Sequence, residues 1–367
     1  MRIAIIGSRG YPYVYSGYET FVSNIAPRLV SLGHEVTIYC HRKLFDARPH
    51  AVKGVKLVYV PGLGHKVLTQ FTHSLLSTLH VMFARMDVVL YLNPANGPMG
   101  VLLRPTSKRT AINVDGLEWL RPKWKGLGSR YYRFASWLAT KVFDVVITDA
   151  DAMADIYMRE FGCESVTIEY GAELRNVTSH AGLDRLGLSP RDYYLVVGRF
   201  IPDNNVGLIV EGFSRAETNR RLVVVGDVPY EDRYVSKVKS AASPQVMFTG
   251  YVYDQELLAE LYGNCYAYIH GHEFGGTNPA LLTALGYGAA VLALDTPFSR
   301  EVLDEGRYGL FFLKEPQDLA QSVEQCDASE SLLAQLRSRG PERISQRYTW
   351  DRIVDEYDKL ITSMHRS

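Results

Sequence analysis

Short apolar runs that stop at a glycine or a polar residue recur through the sequence, and helical patterns separate them. The first is RIAIIG at 2–7. A polar, glycine-containing loop follows, SRGYPYVYSGYE, and then Phe21, Val22, Ile25, Leu29 and Leu32 recur at helical spacing until Gly33 stops them. Further runs are EVTIYC at 35–40, VKLVYV at 55–60, VVLYLN at 88–93, TAINVDG at 110–116 and DVVITDA at 144–150. Strands that alternate with helices predict a parallel sheet covered on both faces.

The pattern restarts after Ser189 with DYYLVVGRF, the helical NNVGLIVEGFSRA, RRLVVVGD, VMFTGYV, CYAYIHG and AAVLALD. A chain of 367 residues exceeds one ordinary core. The expected fold is therefore α/β, with two Rossmann-like doubly wound domains facing a cleft. Ligands of such sheets bind beyond the carboxyl ends of the strands. The expected boundaries are 1–172 for the first domain, 173–190 for a polar linker and 191–346 for the second domain. The final stretch, 347–367, is expected to form a helix that returns to the first domain.

Lys plus Arg and Asp plus Glu are balanced at 40 each, which argues against a nucleic-acid partner. Any anion site must then be local. Cys40, Cys163, Cys265 and Cys326 are far apart in sequence and read as reduced core residues. The opening MRIAIIGSRG reads as a strand rather than a signal peptide, and no apolar run approaches the about 20 residues of a spanning helix. The expected location is cytoplasmic, at or near the inner face of a membrane.

One stretch combines features that an ordinary loop does not need: GHEFGGTNPALLTALGYG, 271–288. Asn278 is a natural helix N-cap and Pro279 a natural first helical residue. Gly275, Gly276 and Thr277 then present backbone N–H groups at a helix start, where an anion can be cradled. His272 and Glu273 precede this loop. Arg199 ends the VVGRF run, and its fork suits phosphate. In the first half, Gly7, Gly10 and Gly17 allow close backbone approach but are not spaced as a dinucleotide fingerprint. Arg9 is a second phosphate candidate. Glu19 either joins the site or only complements the helix dipole. Asp115 in NVDGLEW either accepts a proton from an incoming hydroxyl or starts a turn with Gly116.

VVGRFIPDNNVGLIVEGF, GHEFGGTNPALLTALGYGAAVLALD and RYTWDRIVDEYDKL resemble the signature loop, donor motif and closing helix of glycosyltransferase family 4, a GT-B family. Within it, GSRGYPYVYSGYETFV, VDGLEWLRPKW and GGTNPALL resemble a bacterial rhamnosyltransferase branch. The resemblance covers nearly the whole chain. It implies a retaining hexosyl transfer without metal or other cofactor, from a nucleotide sugar such as dTDP-rhamnose to a glycan or lipid-linked acceptor in surface polysaccharide synthesis.

The resemblance puts the acceptor on the first domain, near Arg9, Glu19 and Asp115. It puts the donor on the second, near Arg199, His272 and the 275–278 loop, with Gly10 and Gly17 approaching the diphosphate. Asp115, Arg199 and Glu273 are the expected catalytic residues. Retaining members use a front-side route, so Asp115 is not a nucleophile.

Two departures stand out. Asn204 occupies the family's usual lysine position, and Thr283 its usual ribose-binding carboxylate position, so Glu273 is either a shifted sugar contact or a loop cap. Two rivals stay open: a nucleotide-sugar epimerase, on the shared architecture, and a non-catalytic nucleotide-sugar binder, which these departures suggest. Finally, Arg121, Lys123, Lys125, Arg130 and Arg133 interleave with Trp119, Trp124, Tyr131, Tyr132, Phe134 and Trp137. Such a mixture suits either an anionic membrane surface contacted through 119–141 or a core helix with a solvated basic face.

Overall fold

The computed structural model describes residues 1–12, 17–63, 68–122, 124, 126–227 and 233–366. It divides into two compact units, Met1–Tyr170 with Trp350–Ser367, and Gly171–Thr349.

The first unit holds β1 (Arg2–Ile6), β2 (Glu35–His41), β3 (Ala51–Val52), β4 (Val55–Val60), β5 (Val88–Leu92), β6 (Arg109–Val114), β7 (Val145–Thr148) and β8 (Val166–Thr167). Their order is β3-β4-β2-β1-β5-β6-β7-β8. Every pairing is parallel except β3 with β4. The central strands are buried along their length, as runs covered on both faces must be.

Helix Gly17–Ser31 buries Phe21, Val22, Ile25 and Leu29 as their spacing predicts. Leu32 is exposed beyond the helix end, and Gly33, at φ +90°, closes it by donating to the Val30 carbonyl. Helix Trp350–Arg366 packs in this unit. Its Tyr357 hydroxyl accepts from Asn113 at 2.9 Å, and its Asp358 meets His34 at 2.6 Å.

The second unit holds β9 (Tyr193–Val197), β10 (Arg221–Val225), β11 (Val246–Gly250), β12 (Ala267–His270), β13 (Val291–Leu294) and β14 (Leu310–Phe312), ordered β11-β10-β9-β12-β13-β14 and all parallel. Its core joins Tyr194, Val196, Ile209, Phe213, Leu222, Val224, Ile269 and Leu292.

Residues 173–190, expected as a linker, belong to this unit. Leu183 is fully buried, the Gly182 N–H donates to Glu260 at 2.6 Å, and Asn264 donates to the Ser179 carbonyl at 3.0 Å. A polar composition reads as a linker, but its polar groups are used here for packing.

In each sheet the strand order reverses once, at β1/β5 and at β9/β12. That reversal leaves a crevice beyond the carboxyl ends of those strands.

Candidate functional site

In the second unit, Gly198 and Arg199 follow β9, while His272 and Glu273 follow β12. Their loops are stitched together. The Glu273 N–H donates to the Asp203 carbonyl at 3.1 Å, and Asn205 Nδ2 donates to the Gly271 carbonyl at 2.9 Å and to Glu273 Oε2 at 3.3 Å. A Cβ at Gly271 would lie 2.5 Å from the Asn204 carbonyl oxygen, so only glycine permits this approach.

Asn204, in the place of the family's cation, is not a free polar end. Its Nδ2 donates to the Arg199 carbonyl at 2.9 Å, and its Oδ1 meets His272 Nδ1 at 2.8 Å. It therefore fixes the backbone that carries Arg199, whose own side chain is exposed.

Glu273 Oε2 pairs with Lys314 Nζ at 2.6 Å. Lys314 lies just beyond β14, a strand the sequence pattern did not reveal, and it brings a cation to this end of the sheet. The carboxylate thus answers Lys314 and Asn205.

The loop Gly275–Thr277 is buried and leads into helix Pro279–Gly286. Asn278 caps it by accepting from the Ala280 N–H at 2.9 Å, and Pro279 is its first residue. Thr283 is partly buried in the second turn. His270 is buried at the end of β12, and burial pushes its imidazole down to about 3.

In the first unit, the loop after β1 carries Arg9 and Gly10. Gly10 has φ +133°, and a Cβ there would lie 2.8 Å from the Phe45 ring. Glu19 was open to a helix-dipole reading. It is buried and accepts the Arg9 N–H at 2.7 Å, so it holds the loop rather than decorating a helix surface. Gly17 begins the helix that carries Glu19.

Asp115 follows β6. Tyr18 donates to its Oδ1, and Tyr170 donates to its Oδ2 at 3.0 Å. Burial pushes the Asp115 carboxyl above the usual aspartate range, against the two phenols and Arg121, which favour the anion. Burial also pushes both phenols well above the ordinary tyrosine value, so they remain donors. A carboxylate held this way can receive a proton from a hydroxyl placed beside it. Tyr18, Tyr170, Asn205 and Lys314 were not singled out from the sequence. The signal for Tyr18 was its place between Gly17 and Glu19.

The 119–141 stretch divides. Trp119 is buried against Tyr157 and Phe161, with ring centroids at 6.1 and 5.6 Å. Arg121 is buried and pairs with Glu118 at 3.0 Å, and the Trp124 indole donates to the same carboxylate at 2.8 Å. Trp119 and Arg121 serve the interior, so of the two alternatives left open they follow the core one. Lys123 and Lys125 lie outside the described residues. Among the described residues, no three His, Cys, Asp or Glu side chains are grouped to hold a metal ion.

The family models agree with this division. Residues 16–170 match a glycosyl transferase 4-like domain, and residues 191–328 match glycosyl transferases group 1. Among solved structures, sucrose-phosphate synthase from Thermosynechococcus elongatus is 16% identical, with a TM-score of 0.82 over 99% of this chain and 98% of that one. Anabaena Alr3699/HepE in complex with UDP-glucose is 16% identical, with a TM-score of 0.79 over 99% and 100%. A glycosyltransferase from Rickettsia africae is 13% identical, with a TM-score of 0.71 over 99% and 98%. The chain is a glycosyltransferase of the GT-B fold, a 4-like domain followed by a group 1 domain.

Proposed function

We propose that the chain moves L-rhamnose from dTDP-rhamnose, with retention and without a metal, onto a glycan or lipid-linked glycan for a surface polysaccharide. It acts in the cytoplasm at the inner face of a membrane.

The observation that carries this reading is the cluster beyond β9 and β12. It joins the Arg199 backbone, Asn204, His272, Glu273 and the capped start of helix Pro279–Gly286. Such a cluster suits a diphosphate leaving group: Arg199 and the Gly275–Asn278 amides meet charge that grows on phosphate oxygen. The bond from the anomeric carbon to that oxygen breaks. The acceptor oxygen bonds the same carbon from the same face. Its proton passes to the leaving phosphate or to Asp115, and the nucleoside diphosphate departs.

Thr283, in place of a carboxylate, suits a deoxyribose. A UDP-sugar is the second reading, because HepE has been crystallised with UDP and with UDP-glucose.

The test is transfer from dTDP-rhamnose, UDP-glucose and a GDP-hexose to membrane extracts, with and without EDTA. The product's anomeric configuration is read by NMR. The expected result is rhamnosyl transfer with retention, undiminished by EDTA. Conversion of a donor without acceptor would favour an epimerase. Nucleotide binding with no turnover on any pair would favour a binder.

A further inference from the structure

Helix Leu68–Phe83 buries Val81 but otherwise turns mainly polar groups inward. A surface helix ordinarily turns its apolar stripe inward. Here His73, Ser74, Ser77 and Thr78 are all 0% exposed, while Leu76, Leu79 and Phe83 are 40%, 41% and 87% exposed. Two of the inward polar side chains are answered locally: Ser77 donates to the His73 carbonyl, and Thr78 donates to that of Ser74, each at 2.7 Å, whereas the His73 ring stacks on His41 and its nitrogens make no hydrogen bond among the described residues. Thr78 also shares a hydrogen bond with the Tyr91 hydroxyl at 2.7 Å. Nothing in this arrangement calls for leucine and phenylalanine outside.

Helices Gly97–Leu103 and Leu127–Val142 continue the row beside it on the same side of the sheet. Gly97 lies so close to the second of these that a Cβ would be 2.0 Å from the Ala135 carbonyl oxygen. These helices add exposed Val101, Leu127, Phe134 and Trp137. The apolar face therefore spans three helices. Exposed apolar residues gathered on neighbouring helices, with the Phe134 and Trp137 ring centroids 5.9 Å apart, are the mark of a docking site.

Charge says what docks. From 61 to 143 the sequence has eleven Lys and Arg but only three acids, in a chain whose net charge is zero. All three acids are engaged: Asp87 with Arg2, Asp115 with Tyr18 and Tyr170, and Glu118 with Arg121. Arg133 is matched by Glu160 of the next helix at 3.1 Å. Arg85, Arg104, Arg130 and Lys141 are exposed around the apolar residues, and no acid pairs with them among the described residues. No described helix is long and apolar enough to cross a membrane. Exposed aromatics and leucines ringed by unmatched cations fit the headgroup layer of an anionic bilayer.

We propose that this three-helix face, centred on helix Leu68–Phe83, seats the enzyme on an anionic lipid surface. It rests on and deepens the inner-membrane part of the reading above, with the contact moved away from the buried Trp119 and Arg121. Vesicle binding is read without donor or acceptor, so its failure is distinguishable from failure of the transfer reading.

The purified full chain is sedimented with vesicles of phosphatidylcholine alone, or of equal parts phosphatidylcholine and phosphatidylglycerol, at low and high salt. The wild type should pellet with the mixed vesicles only. Each reversed cation in Arg104→Glu with Lys141→Glu should weaken partition about five-fold or more. Phe83→Asp with Trp137→Asp should abolish it at either salt, with an unchanged circular dichroism spectrum. If that apolar variant misfolds, the charge-reversed one still decides. Equal binding to both vesicles, or variants that partition like the wild type, would overturn the proposal. So would a wild-type dimer, seen by light scattering, that Phe83→Asp dissociates while vesicles go unbound. That outcome would assign the face to a second copy of the chain.

Discussion

Tyr18, in the first turn of the helix after β1, donates its phenolic hydrogen to Asp115 at the end of β6. Strand β5 lies between β1 and β6, so this one hydrogen bond spans three strand ends of the first sheet. It joins the glycine loop, which Glu19 holds through the Arg9 N–H, to the carboxylate placed to receive a proton. Tyr170 completes the hold from the far side at 3.0 Å.

Tyr18→Phe removes a donor that favours the charged carboxylate. Asp115 already titrates above the usual aspartate range because it is buried, and loss of the hydrogen bond moves it further up. If the ionised form is the one that accepts the proton, activity is present above this value and lost as pH falls through it. The acid limb of kcat/KM should therefore move to higher pH in Tyr18→Phe, with nucleotide affinity unchanged. A limb that stays in place or moves down would show that Asp115 is not the group titrating in catalysis.

Arg199→Ala tests the donor end. Its backbone is fixed by Asn204, so the substitution removes the guanidinium without loosening the loop. Losing one charged donor to the departing diphosphate costs about 3 kcal/mol, a rate loss of about 100-fold. A folded variant with unchanged kcat would take Arg199 out of the mechanism.

Two buried histidines give the fold a pH signature. His73 in the first unit and His270 in the second are both pushed down to about 3, chiefly by burial. In the unfolded chain a histidine titrates near its ordinary value of about 6.5. Between those values the unfolded state binds the extra proton, so stability is full above about 6.5 and falls as pH drops. The slope is about 1.4 kcal/mol per pH unit for each histidine. Urea midpoints between pH 6.5 and 5 sample this window before the carboxylates titrate. Both units should weaken, and His270→Gln should flatten the response of the second alone. Midpoints independent of pH over that window would contradict neutral burial of these rings.

The fold was legible because a parallel sheet covered on both faces demands unbroken apolar runs, and RIAIIG, VVLYLN and DYYLVVGRF supply them. The Asn278 cap was legible for the same local reason. What escaped depends on neighbours in space. Tyr18 meets Asp115 across 97 positions, and Lys314 meets Glu273 across 41. Helix Leu68–Phe83 escaped because periodicity reports which residues share a face, not which way that face points. Trp119 and Arg121 stayed ambiguous for a related reason: composition does not distinguish a cation over lipid from one over Glu118.

Thr283 sits in the second turn of helix Pro279–Gly286, and its backbone carbonyl accepts from Tyr287 at 3.0 Å. A carboxylate at this place would accept hydrogen bonds from both hydroxyls of a ribose. Threonine is shorter and has one hydroxyl, so it cannot grip a diol with two oxygens. A deoxyribose has no 2′-hydroxyl to be gripped and so loses less by the exchange, keeping only a 3′-hydroxyl that the one threonine oxygen can answer. The difference between the two nucleotides is one hydrogen bond to a charged group, about 1.5–3 kcal/mol. dTDP should therefore bind the wild type at least as tightly as UDP does, and Thr283→Glu should shift the preference toward UDP by about ten-fold or more. Calorimetric titration of both proteins with dTDP, UDP and GDP measures this directly. A wild type that prefers UDP or GDP by ten-fold would remove the ribose argument, and with it the physical support for a dTDP-rhamnose donor.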